Sequence, residues 1–369
     1  MHYFEKSNNK MTSLYVVYNA GSMYEADNQY GTMHLMEHLI CKRFDSLQDK
    51  YTNLNIYFNA YTSTQQVIVT INGIDTALTQ DIKTEFVKLL TDGTFTDAAD
   101  FNKEKSIVMQ EYYNCFNDIS YGNSINYIRQ KFNNYSGIGK KDDIINFSYD
   151  DALLIFNKFF VSPSYIVEVS KSKSDFSFVN YNNIPLITTK IDFFDSDDKT
   201  LFEDVPSSDI NSQIIFSPKC SISKKDFPLF NILIDILSLG LNSILYQELR
   251  EKRGLIYGIS PIISPCVNDS IFIYSIMTTP DNVTEVTYLL SDIFTNIEKY
   301  ITESRFNDIL SYLSIQMDIN KLYKFSHPKH LDINLPSQIN TKQKLKSIKL
   351  KDIINVAKKY FSDINISVF

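Results

Sequence analysis

Apolar and polar positions along this chain fall into two successive series, each running from strand to helix and back to strand. Ser13–Asn19 is β-branched and aromatic, which predicts a strand. Gly31–Phe44 carries apolar residues at helical spacing, with no proline and no internal glycine, and predicts a helix. Tyr57–Asn72 is rich in Val, Ile and Thr with partial alternation and predicts a strand. Asp97–Phe116 predicts a helix with mixed faces, Asp150–Phe160 a further helix, and Ser164–Ser170 a strand. From Lys171 to about Ser208 the chain turns polar, which predicts a domain linker. The second series then begins: a strand near Asn211–Ser217, a long helix from about Asp226, and a second helix entered near Asn242. A strand at Ile271–Met277 and a helix over Thr284–Ile301 follow.

The two series are related by an internal repeat. A shift of 201 residues sets Asp151 on Asp352, Lys158 on Lys359, Phe160 on Phe361 and Val167 on Val368. Both segments are an acid-started amphipathic helix, an aromatic close and a short apolar strand. The correspondence predicts two tandem domains of one fold; the alternative is that any helix–strand ending looks this way. The chain stops just after the second copy of the final strand, as a complete unit would.

Composition narrows the class. With 44% hydrophobic and 14% aromatic residues the chain has apolar surface enough for two cores, which excludes a disordered chain. A net charge of −7 and a pI near 5.3 exclude bulk electrostatic binding of nucleic acid. No run of about 18 apolar residues is present, so neither a membrane span nor membrane association is expected. The N-terminal stretch has no apolar core of signal-peptide length, and the expected location is the cytoplasm. Cys41, Cys115, Cys220 and Cys266 form no CxxC pair and are read as reduced thiols, with two disulfides as the alternative.

The chemistry concentrates in His34-Leu35-Met36-Glu37-His38. Two of the five histidines stand in this window, and chance would place H-x-x-E-H in such a chain only about twice in a thousand. Residues four apart share a helical face, so the two imidazoles can grip one ion. Glu37 leans toward the same face, within reach of water on that ion, and the order is that of the inverted zinc motif. A catalytic zinc site also needs a third protein ligand. Glu104 and Glu111, seven apart, share a helical face over two turns; alone they equally describe a solvated charged stripe.

Taken together, these residues resemble the M16 (pitrilysin-type) metallopeptidases, in particular the short two-domain processing-peptidase-like subfamily M16B. The resemblance runs through Ala20-Gly21-Ser22 and Glu25, Gly31 to His38, Asn59-Ala60-Tyr61-Thr62-Ser63 and Glu104-x6-Glu111. It continues through Leu245-Tyr-Gln-Glu-Leu-Arg250-Glu-Lys-Arg-Gly254-Leu-Ile-Tyr257. It implies an α+β fold of two tandem homologous domains, each a mostly antiparallel sheet packed with helices (a LuxS/MPP-like metallohydrolase fold). Residues 1–180 would be the zinc-bearing catalytic domain and 181–369 the homologous domain without zinc. His34, His38 and Glu111 would hold one zinc per chain, Glu37 would be the general base, and Glu104 would support the site. Asn59, Ala60, Tyr61, Thr62 and Ser63 would lie on an edge strand that pairs with substrate. Arg250 and Tyr257 would hold the substrate and the developing oxyanion.

The sequence departs from the family pattern in places. Gln65 and Gln66 stand where a glutamate is usual, Leu39-Ile-Cys-Lys-Arg43 lacks the usual Gly-Thr, and the chain is short for the subfamily. The 201-residue shift carries His34–His38 onto Asp235–Leu239, which has no histidine. Cys41 and Cys115 flank the site in sequence and are read as small buried apolar residues, although Cys115, one turn past Glu111, could approach the ion. His327 and His330, around Pro328, are read as a polar loop rather than a second metal site.

The expected function is a zinc endopeptidase cleaving peptides or unfolded segments inside a dimeric clamshell. The resemblance implies a homodimer in which the Arg/Tyr domain of one chain completes the zinc site of the other. The alternatives are a non-catalytic partner or scaffold of the same fold, and a maturase dedicated to one precursor or leader peptide.

Overall fold

The computed structural model describes residues 1–7, 10–131, 135–187, 210–265, 269–323 and 342–369. Contacts divide the chain into two units. The first takes Met1–Asn114 and residues 134–187; the second takes residues 115–133 and the described chain from Ile210 onward.

In the first unit the strands are β1 (His2–Lys6), β2 (Met11–Tyr18), β3 (Tyr57–Thr62), β4 (Val67–Ile74) and β5 (Tyr165–Ser170). Their order in the sheet is β1-β5-β2-β4-β3; β1 runs parallel to β5 and the other pairings are antiparallel. The helices along this part of the chain are α1 (Thr32–Lys42), α2 (Asp45–Tyr51), α3 (Gln80–Thr91) and α4 (Ala98–Asn117). They continue with α5 (Ile119–Lys131), α6 (Lys141–Asn146) and α7 (Tyr149–Phe159). All of α5 belongs to the second unit. Leu14, Val16, Val69, Ile71, Phe86, Phe156 and Val167 fill the core of the first unit.

The second unit holds β6 (Ser212–Pro218), β7 (Ile222–Ser223), β8 (Ile256–Pro265), β9 (Asp269–Thr278) and β10 (Ile364–Val368). Every pairing is antiparallel: β10 lies on β6, β6 and β7 share one side of β9, and β8 takes the other. Its later helices are α8 (Phe227–Ser238), α9 (Val283–Thr295), α10 (Ile297–Tyr300), α11 (Glu303–Tyr323), α12 (Lys342–Ser347) and α13 (Leu350–Phe361). Phe216, Phe230, Leu233, Phe272, Tyr274 and Phe361 are the bulk of its core.

The fold is therefore α+β with mostly antiparallel sheets, and the repeat extends far beyond the two chain endings. The order β5-β2-β4-β3 recurs as β10-β6-β9-β8. The 201-residue shift carries Lys141–Asn146 onto Lys342–Ser347 and Tyr149 onto Leu350. The acid starts also match: Asp151 Oδ2 accepts from Ser148 N at 3.4 Å, and Asp352 Oδ2 from Lys349 N at 3.0 Å. The exception is α8, which begins at Phe227, six residues ahead of the position that the shift gives Thr32.

Three expected elements differ. The single strand over Tyr57–Asn72 is a hairpin, because Thr62-Ser-Thr-Gln-Gln66 satisfies itself as a turn. Ser63 N donates to Gln66 O at 2.8 Å, and Gln66 N donates to Ser63 Oγ at 3.0 Å. The polar stretch after Lys171 is no free linker in its described part. Phe176 and Val179 are buried, Asn182 Nδ2 donates to Ser162 O, and Tyr24 Oη donates to Pro185 O at 2.6 Å. Residues 188–209 lie outside the described residues. The helix over Thr284–Ile301 breaks at Asn296, whose Nδ2 donates to Asp292 Oδ1 at 2.9 Å. Among the described residues no helix is long and apolar enough to cross a membrane.

One buried ion pair ties the first sheet together. Glu168, on β5, is fully buried and accepts from Lys83 Nζ at 2.7 Å, Ser174 Oγ at 2.6 Å and Ser174 N at 2.8 Å. His2 Nε2 of β1 lies 3.2 Å from its other oxygen. Burial alone would raise this carboxyl, but hydrogen bonds from His2, Lys83 and Ser174 outweigh it and hold the pKa at about 2 against an ordinary 4.5. Lys83→Met leaves the charge buried without its cation and is expected to cost about 3–5 kcal/mol at neutral pH. Because the folded pKa is depressed, the stabilisation is present above about pH 4.5 and is lost as pH falls toward 2. Urea unfolding checks this: the gap between wild type and Lys83→Met narrows below about pH 4. A gap constant down to pH 3 refutes the assignment.

Candidate metal centre

The site is built on two helices. Helix α1 starts at Gly31, whose φ of +96° favours glycine; a Cβ there would stand 2.7 Å from Gly139 Cα. The Glu25 carboxylate accepts from Gly31 N at 3.0 Å and Met33 N at 2.9 Å, satisfying N–H groups that a helix start leaves open. Leu35, Met36, Leu39 and Ile40 are buried and fix the rotation of α1 about its axis. His34 and His38 then project together, one turn apart, with ring centroids separated by 4.9 Å.

Helix α4 supplies the carboxylates, anchored by buried Phe101, Val108 and Tyr112. Glu111 Oε2 lies 3.4 Å from His34 Nε2 and 3.5 Å from His38 Nε2. One ligand atom from each of His34, His38 and Glu111 falls within 4.8 Å of the others; among the described residues this is the cluster of three or more His, Cys, Asp or Glu groups able to hold an ion. Glu104 Oε2 lies 3.4 Å from His38 Nδ1, which orients that ring with Nε2 toward Glu111. Two imidazole nitrogens and one carboxylate oxygen are a donor set that suits zinc and leaves room for water or substrate.

Burial sets the protonation states. It pushes His34 down to about 4, and the charge of His38 adds to the shift, so His34 keeps a neutral, ligating ring. Burial also raises the Glu37 carboxyl, the opposite pull coming first from the Thr62 hydroxyl and then from His38. Thr62 Oγ1 donates to Glu37 Oε2 at 2.7 Å. A glutamate moved up toward neutrality beside a metal cluster has the character of a general base.

Strand β3 carries Asn59–Thr62 and closes the sheet edge, with β4 on one side; Ser63 begins the turn that follows. Tyr57, Asn59 and Tyr61 face solvent while Ala60 is buried. A cleft of about 240 Å³ runs from His38 and Glu104 to Asn59 and Ala60, with Cys41 in its wall. Cys41 is half-buried rather than buried as expected; desolvation raises its thiol well above the ordinary range, so it stays protonated. His327, His330 and Cys266 lie outside the described residues.

Arg250 and Tyr257 lie in the second unit and meet there. The Arg250 guanidinium is 5.9 Å from the Tyr257 ring centroid and 5.8 Å from that of Tyr246. The second helix expected near Asn242 is present: after a turn over Gly240–Ser243 the chain forms a π-helix at Tyr246–Glu251. Tyr257 is skipped in the pairing of β8 with β9, a bulge that turns its ring outward, and it is 84% exposed.

Two roles escaped the sequence reading. Thr62 was expected only as part of the edge strand, yet it holds Glu37. Glu25 had no assigned role, yet it starts the metal helix; an acid six residues ahead of a glycine-started helix was the available signal.

Comparison with known proteins bears on the family and the fold. A family model described as "Insulinase (Peptidase family M16)" matches residues 2–116, and one described as "Peptidase M16 inactive domain" matches residues 179–313. A probable mitochondrial-processing peptidase subunit beta from Arabidopsis thaliana is 27% identical over 107 residues, which is 28% of this chain but only 20% of that protein's length. A protease from Helicobacter pylori has a similar structure, with TM-score 0.75 and 16% identity over 99% of this chain and 95% of that one. A peptidase M16 inactive domain from Pseudomonas fluorescens gives TM-score 0.75 and 14% identity over 99% and 94%. A chain of Complex III2 from Candida albicans gives TM-score 0.72 and 12% identity over 100% and 92%. At these identities the structural likenesses show the fold alone.

The donor set makes a direct prediction about metal. Wild type and Glu37→Gln are expected to take up one Zn²⁺ per chain by equilibrium dialysis, while His34→Ala and His38→Ala take up none at that site. Glu104→Gln, which loses only the orientation of His38, is expected to bind about 10–100-fold more weakly. Uptake by His38→Ala equal to wild type would place the metal elsewhere.

Proposed function

Because this chain belongs to the M16 peptidase family, we propose that it is a zinc-dependent endopeptidase, with zinc on His34, His38 and Glu111 and Glu37 as general base. The convergence of three ligand atoms within 4.8 Å beside a carboxylate raised by burial carries this reading. Zinc, when bound, supplies polarisation of the scissile carbonyl and a more acidic water. Glu37 accepts the proton of the attacking water and delivers it to the leaving amine. Its Oε2 is engaged by Thr62, so Oε1 takes the proton. Glu104 keeps the Nδ1 proton of His38 and thereby leaves Nε2 for the metal.

The substrate is an extended peptide or unfolded segment. It pairs through its main chain with the open edge of β3 at Asn59–Ser63, which gives affinity with loose sequence preference. Arg250 and Tyr257 donate to the substrate and to the oxyanion, typically worth about 3 kcal/mol per donor. The exposure of Tyr257 on an irregular segment, with the half-buried Arg250 beside it, supports a role toward an incoming chain. We infer a homodimer in which the Arg250/Tyr257 pair of one chain serves the metal centre of the other. A non-catalytic subunit of the same fold is the alternative reading, and a maturase of one precursor would share the chemistry with a narrower substrate.

Glu37→Gln is expected to lower kcat on a quenched unstructured peptide library by about 10²–10⁴-fold while zinc is retained. Equal behaviour of wild type and variant in every assay supports the non-catalytic subunit instead. Completion in trans has its own test. Glu37→Gln and Arg250→Ala are each expected to be inactive alone, and mixing them restores activity, because one heterodimer site then carries both intact sets. Failure to recover activity after subunit exchange, followed by native mass spectrometry, refutes the shared site.

A further inference from the structure

The second unit has a cleft of its own, of about 280 Å³, lined by Asp235, Leu239, Asn242, Ser243 and Arg305 among others. Shifted by 201 residues, His38, Cys41, Lys42 and Glu104 of the first cleft fall on Leu239, Asn242, Ser243 and Arg305. Both halves therefore keep a hollow bounded by repeat-related positions, and the second has exchanged its ligand set for other chemistry. A metal ion does not suit it. It offers two carboxylates, Asp235 and Asp308, no His or Cys, and the positive charge of Arg305.

The cleft is lined by two carboxylates, Asp235 and Asp308, and one guanidinium, Arg305, and Asp235 does not meet Arg305. Asp235 is half-buried on α8, and its carboxylate has no hydrogen-bond or ion-pair partner among the described residues. Burial lifts that carboxyl to about 6, as expected for a carboxylate without a cation beside it. Arg305, on α11, gives one N–H to the Tyr300 carbonyl at 3.0 Å and makes no ion pair with Asp235. Both groups line the same cleft, together with the apolar side chains of Ile236, Leu239 and Ile309. Pockets that bind small molecules have this form: an apolar wall and a few convergent polar groups.

We propose that this cleft binds a small zwitterion of amino-acid or dipeptide size, its ammonium on Asp235 and its carboxylate on Arg305. Leaving a half-buried charge unpaired is costly, and a ligand bearing both charges satisfies the two groups at once. The apolar wall selects an aliphatic side chain. The proposal stands apart from the peptidase reading, since it uses neither the metal nor Glu37.

Calorimetric titration of the full chain with leucine, Ala-Leu, N-acetyl-Ala-Leu and Ala-Leu amide tests it. Leucine or Ala-Leu is expected to bind, and capping either end is expected to weaken binding about tenfold or more. Preference for leucine identifies a free amino acid as the ligand; preference for Ala-Leu identifies a short peptide. Asp235→Asn, nearly isosteric, is expected to lose the discrimination against the acetylated peptide while keeping the wild-type Tm. If none of the four binds, or capped and free peptides bind alike, the assignment is wrong. The capped ligands need no variant, so a misfolded Asp235→Asn protein does not shield the proposal.

Discussion

The rotational setting of α1 is the constraint on which the metal centre depends. A helix advances about 100° per residue, so a slip of one position would carry both imidazoles off the α4 face. Three features prevent it. Leu35, Met36, Leu39 and Ile40 lock one side into the core, the Glu25 carboxylate holds the first N–H groups, and Gly31 meets Gly139 where no Cβ fits. The same packing that fixes the helix also desolvates His34 and Glu37, and so produces the shifts their roles require. Position and reactivity are one consequence of one buried face.

The internal repeat shows how little of this belongs to the sheet. Both units carry the same strand order, and the later helices follow the 201-residue shift closely. The departure is in α8, the counterpart of α1. In the second unit it starts six residues early and ends at Ser238, so the counterparts of His38 and Cys41 fall beyond its end. Residues in a turn are not held at helical spacing, so two ligands could not be presented there one turn apart. The scaffold is common to both halves, and the candidate metal cluster is a local property of one helix register.

What could be read from the sequence divides along physical lines. His34, Glu37 and His38 were legible because helical periodicity alone puts them on one face, whereas Glu111 was singled out only by the family resemblance, since its shared face with Glu104 equally describes a solvated stripe. The repeat was legible at the chain endings because an acid start and an aromatic close are local signals. The hairpin at Ser63–Gln66 was missed because polar residues among Val and Ile do not reveal that their side chains close a turn on Asn19 and Tyr165. Lys171–Ile187 looked like a linker for the same reason: Asn182 is polar in sequence but is satisfied by Ser162 and Ser164, some twenty residues away. Strand β1 was not predicted because His2–Lys6 is short and polar, and it forms by borrowing the edge of β5. Local pattern reveals residues whose partners are near in sequence and hides those whose partners are far.

The same division runs through the functional groups. Residues that hold or act at a metal need burial and fixed spacing, which regular helices provide, and helices leave a periodic trace. Residues proposed to receive a substrate need exposure, and here Arg250 and Tyr257 stand where regular structure is interrupted. Arg250 lies in the last turn of a π-helix, and Tyr257 sits on a bulge, 84% exposed, with the guanidinium 5.9 Å from its ring. No periodicity marks such positions, so only the resemblance of the whole segment Leu245–Tyr257 drew attention to them. An exposed tyrosine at a bulge gains little from packing on its own protein. Its placement makes sense as contact area kept for another chain, and a guanidinium beside the ring supplies the donor that such a contact can use.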